Sequence, residues 1–167
     1  MEMKSPLFKI RLLLLIFIAA LLTAGITAFP IETEIRFLCE FLNISIEDPA
    51  ANNGILSYWL AQVAQGLIET NKAYPFLAYG FDWLAFAHIV IAVLFIGPFI
   101  DPVKNIWIIY WGMFTCIAII PTAFICGVIR EIPFFWQLID CSFGVFGIIP
   151  LLLCLKYIKQ LSAGKVV

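Results

Sequence analysis

The stretch FDWLAFAHIVIAVLFIGPF, residues 81–99, is an almost unbroken apolar run with Asp82 at its mouth and His88, the chain's only histidine, further in. A run of this kind reads as a membrane-crossing helix, because ~20 apolar residues rising ~1.5 Å each span a hydrocarbon core of ~30 Å. This span is expected at about 83–100. Working outward, three more runs meet the same requirement, at about 8–29, 107–129 and 134–156.

Composition agrees, since 63% hydrophobic and 13% charged residues in a chain of 167 leave too little polar surface to wrap a soluble core. The expected fold is an all-α integral membrane protein. It is a four-transmembrane-helix bundle forming a single membrane domain over 1–167, with two amphipathic helices in the long external loop between the first and second spans. Formal net charge is −1, so no basic field exists to attract nucleic acid, and that class of partner is set aside. The bilayer itself is the expected partner.

The spans are punctuated by helix breakers. Gly97-Pro98 closes the second span, and Asp101-Pro102 reads as an N-cap followed by proline at the first helical position of the third. Arg130-Glu131-Ile132-Pro133 interrupts the chain again, with Pro133 able to restart a helix. Both junctions predict tight hairpins.

Orientation follows from where lysine and arginine fall. Lys4, Lys9 and Arg11 precede the first span, Lys104 lies between the second and third, and Lys156, Lys159 and Lys165 follow the fourth. The long connection after the first span instead holds Glu32, Glu34, Glu40, Glu47, Asp48 and Glu69 against Arg36 and Lys72. Both termini are therefore expected in the cytoplasm, with a bacterial inner (plasma) membrane as the location. A cleaved signal peptide is the alternative reading of the first span, but its apolar run exceeds the usual signal core of ~7–15 residues.

The external connection carries two helical patterns, together an amphipathic cap over about 31–72. In IETEIRFLCEFLNI, Ile31, Ile35, Leu38 and Leu42 recur at helical spacing; in GILSYWLAQVAQGLIETNKA, Ile55, Trp59, Val63 and Leu67 do the same. EDPAANNG between them is turn-forming. Such a cap either lies on the membrane interface as a shield or serves as a lid over a cavity. Asn43-Ile44-Ser45 fits a glycosylation sequon, a short pattern that is frequent by chance.

The five cysteines, Cys39, Cys116, Cys126, Cys141 and Cys154, include no C-x-x-C pair for thiol exchange and are expected to act as small apolar residues. One histidine without clustered carboxylates or thiolates points to no metal site, and no cofactor is indicated.

Depth then singles out two residues. His88 lies six positions inside Asp82 and Asp140 seven inside Pro133, which places both roughly 9–10 Å below the outer interface. His88 shares a helical stripe with Ala85 and Ala92, and Asp140 shares one with Gln137, Gly144 and Gly147. Small-residue stripes mark helix contacts in membranes, so both side chains are expected to point inward as a pair. Thr115, Ala118, Thr122 and Cys126 form a compatible face on the third span, with Asp82, Arg130 and Glu131 at the rim.

No motif names a reaction or ligand. The leading expectation is a non-catalytic membrane protein that binds an apolar small molecule or a membrane partner subunit through the bundle. The runner-up is an embedded enzyme or proton-coupled carrier in which His88 moves a proton and Asp140 sets its charge.

Overall fold

The computed structural model of the protein describes residues 5–163, so Lys4 and Lys165, two of the charges used for orientation, lie outside the described residues. Every regular element among them is helical: α1 (Pro6–Ala28), α2 (Ile31–Phe41), α3 (Ile55–Ala73), α4 (Tyr79–Leu94), α5 (Ile96–Ile100), α6 (Ile106–Ile129) and α7 (Phe134–Ala163). Single 3₁₀ turns occupy Pro49–Ala51 and Pro75–Ala78. Four segments are long and apolar enough to cross a membrane, namely Pro6–Ala28, Pro75–Ile100, Ile106–Ile129 and Phe134–Ala163.

Several boundaries differ from the sequence reading for local physical reasons. The helix of the second span starts at Tyr79 and not at about residue 83, so Asp82 lies inside its first turn. There its charge still faces the unsatisfied N–H end of the helix dipole. That helix stops at Leu94, whose carbonyl meets no N–H from Pro98, and the chain continues as the short α5.

Asp101 and Pro102 do not open the third span. Asp101 Oδ1 accepts the Lys104 N–H at 3.1 Å, while Asn105 Nδ2 donates to the carbonyls of Gly97 and Asp101, both at 3.0 Å. These bonds hold residues 102–105 as a turn, and α6 begins only at Ile106. At the other end α7 runs through Lys156 and Lys159 to Ala163, past the expected end of the span. The residues beyond the apolar run remain good helix formers, and Ile158 among them is fully buried.

The α6–α7 turn is a left-handed C-cap. Ile132 N–H bonds the carbonyl of Gly127 at 2.9 Å and Glu131 N–H that of Val128 at 3.3 Å, with Glu131 at φ 56°. The end of α2 repeats this device through Asn43 at φ 54°, whose neighbour Ile44 donates to Cys39 at 2.8 Å. Asparagine tolerates that conformation better than glutamate does.

The described residues form two compact units, those up to Ala20 together with those from Ile91 onward, and Leu21–Val90. In the first, Ile10 and Leu14 of α1, Phe95, Pro98, Ile108 and Ile109, and Leu151, Cys154 and Ile158 of α7 make the core. Phe17 tilts onto Phe95 with ring centroids 4.7 Å apart. Gly112 admits the Phe95 ring, since a Cβ there would lie 2.7 Å from Phe95 Cζ. Further along, Gly144 brings α7 against the backbone carbonyl of Cys116 on α6. Such close approach supplies dispersion contacts between the helices.

In the second unit, α1 meets α4 at Gly25, where a Cβ would lie 2.9 Å from the carbonyl oxygen of Ala85 and 3.1 Å from His88 Cβ. The helices α2 and α3 pack on each other. The residues they bury are Cys39, Leu60, Ala61 and Ala64. This is a different face of α3 from the expected stripe: Ile55 is exposed, and Trp59, Val63 and Leu67 are only half-buried. Burial pushes the Cys39 thiol up from its ordinary pKa, and all five cysteines are free thiols.

Candidate functional site

A groove of about 480 Å³ runs along the α6–α7 hairpin. Its floor is a stripe of α6 in which small side chains, Ala118, Thr122, Ala123 and Cys126, recur at helical spacing. Asp140 borders it from α7, and Arg130 and Ile132 from the connecting turn. The volume falls within the ~300–1,000 Å³ of small-molecule sites.

Its polar groups divide into satisfied and unsatisfied ones. Thr122 donates its hydroxyl to the Ala118 carbonyl at 2.8 Å, and Thr115 donates to Gly112 at 2.8 Å, so both threonines bond back into their own helix. Among the described residues of its own unit the Asp140 carboxylate has no hydrogen bond or ion pair, and neither does the Arg130 guanidinium. They line one groove without bonding to each other.

Gln137, expected on the Asp140 stripe, is 5% exposed and donates Nε2 to the carbonyl of Ile132 at 2.7 Å. It ties the start of α7 to the turn before it. Space for its amide comes from Gly127, which the sequence reading passed over although it follows Ala123 at helical spacing. Glu131 is exposed in the turn itself.

His88 and Asp82 belong to the other unit. The half-buried His88 ring sits with Nδ1 2.8 Å from the carbonyl of Leu84 one turn earlier. A carbonyl only accepts, so Nδ1 carries the hydrogen and Nε2 is the free nitrogen. Asp82 borders a shallow aromatic recess with Phe29, Tyr79, Trp83 and Phe86.

A second cavity, about 320 Å³, lies in the cap between Phe29–Thr33, α3 and the residues around Ala78. Its carboxylate is already engaged. Glu32 accepts from Asn71 Nδ2 at 2.6 Å and from Arg36 Nε at 2.9 Å. The Asn71 bond first and the Arg36 bond second hold Glu32 below the usual carboxylate range. Among the described residues no three histidine, cysteine, aspartate or glutamate side chains converge as a metal site would require.

Among the described residues this is an all-helical protein with four helical segments long and apolar enough to span a membrane. Comparison with protein-family models, with curated proteins and with solved structures finds no match.

Proposed function

We propose that the chain is an integral membrane protein, inserted with both termini in the cytoplasm, that holds an amphiphilic, lipid-like molecule in the α6–α7 groove without transforming it. The observation that carries this reading is that Asp140 and Arg130 border one apolar groove while neither has a partner among the described residues of its own compact unit. A carboxylate inside a membrane-crossing helix carries an insertion cost that reaches about 3 kcal/mol at the helix centre, and it persists where a partner offsets that cost. An amine or hydroxyl on the ligand would supply the partner for Asp140, and an anionic group the partner for Arg130. The small side chains of the floor leave room for the apolar chain. Topology is supported by Lys9, Arg11, Lys104, Lys156 and Lys159 clustering at one set of helix ends.

The test is native mass spectrometry of the purified protein after detergent exchange. Wild type should carry a bound amphiphile. Asp140→Asn should weaken its retention about tenfold, the loss expected for a hydrogen bond to a charged group. Ala123→Phe, which fills the floor, should abolish retention while helix content stays unchanged. A wild-type protein that is empty, or one whose ligand survives both substitutions, overturns the reading.

A further inference from the structure

The cap helix α2 carries an apolar edge that no other part of the second unit covers. Phe37 and Phe41 are 69% and 73% exposed, with rings stacked at a centroid distance of 6.5 Å, and Leu38 and Leu42 extend the same edge. The pattern differs from the stripe expected of this helix, because Cys39 takes the buried position against the rest of the unit while the two phenylalanines stand outside. Large exposed apolar patches mark interaction surfaces.

Chain continuity narrows what meets this edge. Only Phe29 and Pro30 separate the last residue of α1 from Ile31, the first of α2. Three residues of chain reach at most ~11 Å, so α2 must start close to the outer end of an apolar span. Around that end stand exposed aromatics: Phe29 itself, then Tyr79 and Trp83, whose rings meet edge to face at 5.9 Å. Tyrosine and tryptophan favour the headgroup level of a bilayer. The exposed edge of α2 therefore continues an aromatic collar.

Charge selects the kind of lipid. Glu32 and Arg36 are bonded to each other, and Glu32 also to Asn71 of α3. Glu40 lines a separate cavity with Gln65 and Glu69. Glu34 is the charge that borders the edge beside Phe37 and Leu38, and no cation joins it. An edge with aromatics and no basic residue has nothing to attract anionic headgroups.

From these observations we infer that α2 lies in the membrane interface with Phe37, Leu38, Phe41 and Leu42 embedded among zwitterionic phospholipids. The inference rests on the membrane insertion proposed above. Tethering α2 in this way fixes the cap to the bilayer through its first helix and leaves α3 to pack on top of it.

Photocrosslinking of the full-length protein in phosphatidylcholine nanodiscs tests this, with p-benzoylphenylalanine replacing Phe37, Phe41, Glu40 or Phe114 in separate variants. Phe114 is an exposed α6 residue that reports on span insertion. Lipid adducts at positions 37 and 41 should match those at 114 and exceed those at 40 several-fold. Adding phosphatidylglycerol should leave those yields unchanged. Adducts at 114 without adducts at 37 and 41 overturn this inference and leave the membrane reading intact. Crosslinks from 37 or 41 to a second copy of the chain also overturn it, and absence of lipid adducts at 114 removes the membrane reading as well.

Discussion

Gly127 and Gln137 fit only because one of them lacks a side chain. A Cβ at Gly127 would lie 2.5 Å from Gln137 Cδ and 2.7 Å from its Cγ. The glutamine amide thus passes over α6 to reach the Ile132 carbonyl at 2.7 Å. Replacing Gly127 by alanine should push this amide out, stranding a buried polar group and the carbonyl that it satisfies. The expected loss is about 1–3 kcal/mol, read as a lower unfolding midpoint in detergent. The double variant Gly127→Ala with Gln137→Ala should lose less than the two single variants combined, since each removes the other's clash or bond. Strict additivity would show that the two residues do not act on each other.

Acid should act on the cap through Glu32. Its hydrogen bonds to Asn71 and Arg36 lower its folded pKa relative to the unfolded chain. A depressed carboxylate contributes stability that is present above the unfolded pKa and lost as pH falls through the folded one. Attachment of α2 to α3 should therefore loosen below about pH 4 and hold at neutral pH. Hydrogen exchange of the α2 amides should rise in that acid window for wild type. In Glu32→Gln the α2 response should be flat, and a response as steep as that of wild type would assign it to another group.

The four long apolar helices could be read from the sequence because each is a long apolar run. Helix ends were less legible. They depend on which side chain happens to satisfy a particular N–H or carbonyl, as Asn105 does for Gly97 and Asp101. The face that α3 buries within the protein was not legible for a related reason. Periodicity ranks large apolar residues, whereas this helix buries the small Ala61 and Ala64 alongside Leu60. In the candidate site, Asp140, Thr122 and Arg130 were visible as polar groups toward the ends of apolar helices. Gly127 was not, because a glycine's role lies in what its neighbour does with the vacant space.

His88 supplies the last prediction, and it returns to the apolar run around it. The hydrogen bond from Nδ1 to the Leu84 carbonyl is made within α4 itself, so it does not depend on how the helix meets its neighbours. Neutral histidine in water favours neither role strictly, and the fixed acceptor decides it here: Nδ1 keeps the proton and Nε2 keeps the lone pair. Nitrogen NMR of the sole histidine, labelled in the full chain at mildly alkaline pH, should show Nδ1 as the protonated nitrogen. Finding Nε2 protonated in the neutral ring would mean that the Leu84 bond is not made. The Nδ1-protonated form would leave Nε2 as the atom through which this histidine meets any ligand, a role open to an imidazole nitrogen and closed to the phenyl ring of His88→Phe.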